Sequence, residues 1–366
     1  MTRVENLRWL LVGFCLSWAV GISWAAEPLR APFDLSQRRT LFASKVESWS
    51  CPMAPAAVRD LNLRGIYTDV GRGSSVVDPA AKEAYDRATH SISQYENKLT
   101  EMSDLSVRAG PPRAEIAACV LDWLHAWARE GAMLGRATEQ GGYVRKWGLA
   151  PIAASYLKIR REPSLDATKR TVVKRWIADW ASVVKKDYST GEQRASRQNN
   201  HLYWAAWSIV LASVVLNDTN LYEWATNRYR FAMGQIQQDG TLPLELQRKS
   251  RALHYHVFAA APLVLIAQAL SRNGTDPFSL NGGALQRLVQ RTAAGLENPA
   301  YFEGLAHAKQ DLKADLNGFH LAWMEPYYAR FHEPALEKWI KRFRPMKNRW
   351  LGGDLTLLLG VADLPR

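Results

Sequence analysis

An all-α chain of antiparallel helical hairpins is what this 366-residue sequence predicts, and three observations predict it. Long segments repeat apolar residues at i, i+3 and i+4, the spacing of one buried helical face. Short breakers separate them, and alternating strand patterns are scarce. No Ser/Gly/Pro linker or low-complexity tract divides the chain, so residues 26–366 read as one domain. Repeated hairpins can stack as a bundle, a solenoid or a toroid, and periodicity alone does not choose, because no repeated sequence signature marks the units.

Residues 1–25 read as a secretory signal. Arg3 and Arg8 make a basic start, Trp9 to Ile22 an apolar core, and Ser23-Trp24-Ala25 a small-residue cleavage site. That core is too short to span a bilayer comfortably, and Val12-Gly13-Phe14 before Cys15 is a poor lipoprotein signal. The expectation is an exported, periplasmic protein with no membrane anchor after cleavage. Losing Arg3, Arg8 and Glu5 takes the formal charge from +12 to +11, an excess suited to a polyanionic partner. Export disfavours nucleic acid, as does the lack of zinc-finger or RNA-recognition spacing. An anionic polysaccharide fits the address.

Cys51 and Cys119 remain as an even pair once Cys15 leaves, which in an oxidising compartment predicts a disulfide contributing about 3 to 4 kcal/mol in the chain-entropy picture. Next comes a glycine-rich stretch, Gly65 to Ser75, holding Tyr67 and Arg72, which reads as a surface loop near residues 64–78. Helices are expected over Ala80 to Met102, Glu115 to Arg136, Tyr143 to Arg160, Ser164 to Lys186, His201 to Leu216, Asn220 to Gln237, Arg248 to Leu270 and Ala284 to Gly295. Breakers between them include Glu139-Gln140-Gly141-Gly142, Asn217-Asp218 and Asp239-Gly240. Of the 15 tryptophans, pairs such as Trp123/Trp127 and Trp176/Trp180 at i, i+4 read as core packing.

Two stretches carry the candidate chemistry. In the run from Gln198 to Trp207, Asn199 reads as an N-cap, which puts Asn200 and His201 in the first turn of an apolar helix. In the run from Gln247 to His256, the spacing 248, 251, 255 would set Arg248, Arg251 and Tyr255 on one side of a helix, within about 60° of each other. Cations so placed would lower the phenol's pKa.

Asn-Asn-His-x-Tyr-Trp-Ala-Ala-Trp over residues 199–207, followed by Arg-x-x-Arg-Ala-Leu-x-Tyr-His over 248–256, resembles polysaccharide lyase family 5, the periplasmic poly(mannuronate) lyases. Supporting matches are Cys-x-Leu-x-Trp-x-x-Ala-Trp-Ala-Arg-x-Gly over 119–131, Arg145-Lys146-Trp147, Trp323-x-Glu325-Pro326-Tyr327 and Leu351-Gly352-Gly353-Asp354. The resemblance implies an (α/α) toroid, an incomplete barrel with a deep cleft for the sugar chain. It also implies a lid loop offering Tyr67, with Arg72 standing where some members carry a lysine. Arg145, Lys146 and Trp147 would then be substrate-binding, the indole stacking on a pyranose face while the cations hold a carboxylate.

Breaking a uronan by β-elimination means taking H5, α to the carboxylate, and expelling the C4 oxygen. Arg248 and Asn200 suit neutralisation of the carboxylate, which stabilises the charge that develops as H5 leaves. His201 and Tyr255 suit the proton transfers. In β-D-mannuronate and β-D-glucuronate both groups leave from one side, so Tyr255 could act as base and then acid, whereas guluronate would make His201 the base. No metal or cofactor is called for: His254 and His256, two apart on a helix, would point apart. Glucuronan is the alternative substrate. A rival glycoside hydrolase would nominate Glu245 and Glu325, otherwise read as solvated or arginine-paired surface acids, and a third reading is a non-catalytic polyuronate-binding scaffold. The chain is expected to act as a monomer.

Overall fold

The computed structural model describes residues 27–43, 46, 48–68, 76–191, 193–312, 316–362 and 364, so the signal segment, residues 1–25, and Arg72 lie outside it. Its helices are α1 (Leu35–Leu41), α2 (Pro79–Arg108), α3 (Arg113–Arg129), α4 (Glu139–Ile159), α5 (Ala167–Ser189), α6 (Asn200–Leu216) and α7 (Thr219–Gln235). Then follow α8 (Pro243–Leu246), α9 (Ala252–Arg272), α10 (Leu280–Glu297), α11 (Ala300–Ala306), α12 (Met324–Phe331), α13 (Pro334–Phe343) and α14 (Leu355–Leu359). Strands β1 (Lys347–Asn348) and β2 (Gly353–Asp354) form the antiparallel pair that the sheet comprises.

The helices pack in two layers. Within one, α2, α4, α6 and α9 touch in succession, and α3, α5, α7 and α10 back them hairpin by hairpin. Helix α6 has partners on so many sides that Ile209 to Val215 are all buried, so its apolar run carries no polar face. The same holds for α9, which is long and apolar enough to cross a membrane yet is packed inside the protein. From α9 the chain returns through α12 and α14 to α1 and α2, curving the layers into a toroid.

Helix ends follow the expected capping chemistry. Asp78, Thr138, Asp166, Asn199 and Asp218 each accept a first-turn backbone N–H through the side chain. Several boundaries differ from expectation: α2 runs on to Arg108 and α3 ends at Arg129, not at Met102 and Arg136. Glu139 to Gly142 is the first turn of α4 rather than a breaker, and Gly141 is there because a Cβ would lie 1.9 Å from the Leu61 carbonyl. Helix α9 starts at Ala252 instead of Arg248, since Lys249 adopts φ +49° and interrupts the helical path.

Two buried ion pairs fasten the C-terminal part. Lys158 Nζ donates to Asp104 Oδ1 at 2.5 Å and to the Gly352 carbonyl at 2.6 Å, while Asp104 Oδ2 accepts the Asp354 N–H at 2.9 Å. The Leu-Gly-Gly-Asp motif is therefore a structural latch, and Gly353 at φ +122° has no room for a Cβ beside Asp104. Glu325, fully buried, takes both Arg344 Nε and Nη2 at 2.7 Å and the Thr356 hydroxyl at 2.6 Å. This corrects its reading as a surface acid: the pairing is with arginine, but inside the protein, where an unpaired carboxylate would be costly.

Cys51 and Cys119 form the expected disulfide, with Cα atoms 5.6 Å apart. It ties the extended segment after α1 to α3, where the Pro52 and Pro55 carbonyls also accept the indole N–H groups of Trp123 and Trp127. With the cysteines 68 positions apart, Cys51→Ser/Cys119→Ser should lower unfolding free energy by about 4 kcal/mol, measured by urea denaturation against the oxidised protein.

Candidate active site

Helix α6 presents the first group. Asn199 Oδ1 accepts the His201 N–H at 3.1 Å and fixes the helix start, leaving the Asn200 N–H to find its partner elsewhere. That partner is Glu245 on α8: Oε1 accepts the Asn200 backbone N–H at 2.8 Å, and the Asn200 Nδ2 donates to Oε1 and Oε2 at 3.0 and 3.1 Å. Asn200 Oδ1 is buried and has no partner among the described residues. Both residues are 0% exposed. Burial raises the Glu245 pKa, opposed by the hydrogen bonds from Asn200 and by the Arg248 charge.

Glu245 is thus engaged with Asn200, and both carboxylates a hydrolase would nominate are fully buried. The turn bearing Glu245 is held by His256, whose Nε2 accepts the Leu242 N–H at 2.9 Å while Nδ1 bonds the Ala252 carbonyl at 2.7 Å. This bonding requires a neutral ring, and burial lowers its pKa to about 4.

Arg248, Tyr255 and Tyr67 form the second group. Although Arg248 precedes α9, its Nη2 donates to the Tyr255 hydroxyl at 2.7 Å and its guanidinium lies 3.6 Å from that ring's centre. The Tyr67 hydroxyl is also 2.7 Å from that of Tyr255, and Arg251 sits 5.9 Å from the Tyr255 ring. Tyr67 is flanked by the backbone bonds Thr68 N to Val76 O and Asp78 N to Ile66 O, while residues 69–75 of the expected lid loop lie outside the described residues. The expected lowering of the phenol's pKa is not what results. Burial raises the Tyr255 pKa by more than the Arg248 and Arg251 charges lower it, and the bond to Tyr67 adds to the rise, so the free site holds a neutral phenol.

The third group is aromatic. Trp147 stacks on Trp350 at 5.0 Å and 16°, and Phe258 meets both edge-on. His201 lies 5.8 Å from Trp147 and stacks on Tyr143 at 3.9 Å. His254 packs edge-on to Tyr255 at 4.7 Å. The half-buried Trp147 thus belongs to the site, as expected, but its two neighbours in sequence do not share that face. Arg145 Nε and Nη2 donate to the carbonyls of Met133 and Gly135 at 2.7 and 2.6 Å. Lys146 is 0% exposed, with Nζ 3.0 Å from His201 Nδ1. Successive helical residues point about 100° apart, which is why only one of the three can face the cleft.

An amide, an imidazole, two guanidiniums and two phenols therefore converge beside an aromatic wall. Such a set can neutralise a carboxylate, stack on a sugar face and move a proton. The alginate lyase family profile matches residues 67–302. An alginate lyase of Azotobacter vinelandii is 33% identical over 98% of this chain and 95% of its own length. The chain belongs to the alginate lyase family. A polysaccharide lyase of Stenotrophomonas maltophilia is likewise 33% identical, over 91% of this chain and 98% of its own. Among solved structures, a tyrosine-to-phenylalanine variant of alginate lyase A1-III complexed with tetrasaccharide superposes with a TM-score of 0.80 at 25% identity. That match covers 92% of this chain and 97% of the other. A histidine-to-alanine variant complexed with tetrasaccharide gives 0.79 at 26% identity, covering 92% and 98%.

Sequence reasoning missed Glu245 as the support of Asn200 and missed Tyr143, Trp350, Phe258 and His254 as walls of the alginate lyase site. Glu245 lies 45 residues from Asn200, and no local pattern joins them. Glu245→Ala would strand two buried donors of Asn200, at a cost of about 1 to 3 kcal/mol. Thermal unfolding should show the loss, and kcat should fall while the far-ultraviolet spectrum of the helices is retained.

Proposed function

We propose that this alginate lyase cleaves mannuronate-rich alginate by β-elimination, leaving a 4,5-unsaturated uronate at the new non-reducing end. We further propose that it works in the periplasm, as a monomer, after loss of residues 1–25. The observation that carries the reaction is the Tyr255 hydroxyl, held 2.7 Å from both Arg248 Nη2 and the Tyr67 hydroxyl beside the Asn200–His201 turn. Arg248 and Asn200 would meet the carboxylate and stabilise the charge that builds up as the C5–H bond breaks. Tyr255, as phenolate, would take H5. The electron pair then forms the C4–C5 double bond, the C4–O bond breaks, and the proton passes from Tyr255 to the departing oxygen. A single phenol suffices because both groups leave from one face of β-D-mannuronate.

The relatives named as alginate lyases and the tetrasaccharide complexes of alginate lyase A1-III support the substrate class. The aromatic wall of Trp147 and Trp350 supports stacking on sugar rings. Arg72, Arg251 and Tyr67 remain proposed substrate contacts.

Incubation with polymannuronate should generate the ultraviolet chromophore of the unsaturated product, more slowly with polyguluronate, and reducing ends appearing without it would indicate hydrolysis. Burial keeps the Tyr255 phenol protonated, so the reactive phenolate is a minor species and kcat should climb as pH rises through the neutral and mildly alkaline range. Tyr255→Phe should lower kcat by about 100-fold or more with polymer affinity near wild type. Arg248→Ala should damage affinity and kcat together, and Arg248→Lys should restore little, lacking the bidentate fork. Near-normal kcat in Tyr255→Phe would move the reaction centre elsewhere.

A further inference from the structure

Lys146 is wholly buried, and among the described residues no carboxylate pairs with it, so burial and the Arg197 cation both push its pKa well below the ordinary lysine value. Its Nζ instead sits among rings, 3.6 Å from the centre of Trp147, 4.8 Å from Tyr143 and 6.0 Å from Tyr188. Three aromatic faces around one nitrogen favour an ammonium over an amine, against the burial that disfavours the charge. The hydrogen bond of that nitrogen to a side chain goes to His201 Nδ1, at 3.0 Å.

An ammonium has protons to give and no lone pair to receive one. His201 Nδ1 must then be the acceptor, which leaves the ring's proton on Nε2, the nitrogen with no protein partner among the described residues. An amine at Lys146 would permit the reverse, with the proton on Nδ1 and a basic Nε2. The two states do different chemistry. With Nε2–H, His201 can donate to a uronate carboxylate but cannot accept H5. With a bare Nε2, it could serve as the base that anti elimination of guluronate requires.

We propose that Lys146 is a positioning and specificity-determining residue: a cation caged by Trp147, Tyr143 and Tyr188, it locks His201 in the Nε2–H tautomer and so withdraws it from base duty. This deepens the elimination reading and rests on it. Discrimination against the C5 epimer then comes from a residue that never touches the sugar. The triplet Arg145-Lys146-Trp147 acquires a division of labour, with Arg145 tying the loop before α4, Lys146 setting the imidazole and Trp147 facing the substrate.

The test is the two-bond proton–nitrogen spectrum of the full mature chain labelled in histidine nitrogen, with His201 assigned by its loss in His201→Gln. Wild type should show a neutral ring with pyrrole-type Nε2 and pyridine-type Nδ1. Lys146→Met, similar in length but without a donor, should lose that fixed pattern. Its kcat on polymannuronate should fall about tenfold with KM changed far less, and the ratio of polyguluronate to polymannuronate rates should rise. Lys146→Arg, which keeps a donor, should recover part of the loss. A wild-type ring protonated on Nδ1, or doubly protonated, overturns the proposal, as does a Lys146→Met protein with unchanged spectrum and kcat. The spectrum needs no substrate, so failure here is separable: a wild type with the Nε2 proton that still prefers polyguluronate would uphold the tautomer but overturn both the mannuronate reading and the specificity role of Lys146.

Discussion

The hydrogen bonds from Asn200 to the Glu245 carboxylate are the contact on which the cleft depends. They join the first turn of α6, the most enclosed helix of the inner layer, to the short α8 turn that leads into Arg248 and Tyr255. An ionised carboxylate at a helix N-terminus is favoured by the unsatisfied N–H groups there and by the helix dipole. The same carboxylate draws both halves of the site together: it takes Asn200 directly and feels the Arg248 charge from the other side. Its environment supplies enough donors to keep a buried charge tolerable, and His256 holds the backbone on which it stands.

Around this anchor the protein gathers positive charge. Burial and the charges of Lys146, Arg248 and Arg197 all push the His201 pKa well below its ordinary value, so the ring stays neutral amid cations. Like charges so placed repel, and burial offers little screening. A bound carboxylate relieves that repulsion. Part of the affinity for a polyuronate therefore resides in the folded protein's own electrostatic frustration, and the overall basic charge only adds attraction at longer range.

Helix periodicity made the fold legible because each inner helix is long and its apolar pattern continuous: α6 begins within one residue of the expected His201, and Asn199 caps it as its amide predicts. The 199–207 and 248–256 motifs likewise named Asn200, His201, Arg248 and Tyr255, and the structure brings Arg248 to Tyr255. The route differs, however, because Lys249 in a left-handed conformation folds the guanidinium back onto the ring. Two of three adjacent residues misled: Arg145 and Lys146 are buried, and Trp147 alone lines the aromatic wall. Arg145, Lys146 and Trp147 share a motif yet face three directions, and motif resemblance carries no information about which way a helix is rolled. Glu245 was legible only as a carboxylate of unknown use, since its role depends on a partner distant in sequence. The short helices α11 to α14 have too few turns for periodicity to mark, and ion pairs such as Glu325 with Arg344 fix their places.

The remaining physical question is how a sugar reaches a phenol that is already fully engaged. Tyr255 has Arg248 and Tyr67 each at 2.7 Å, distances that leave no room for a glycosidic oxygen between them. A substrate oxygen that bonds the phenol must replace one of these partners. Arg248 is the costlier to move, being buried and stacked on the Tyr255 ring. Tyr67 is only half-buried, flanked by the backbone bonds Thr68 N to Val76 O and Asp78 N to Ile66 O, so it is the easier partner for a sugar oxygen to replace.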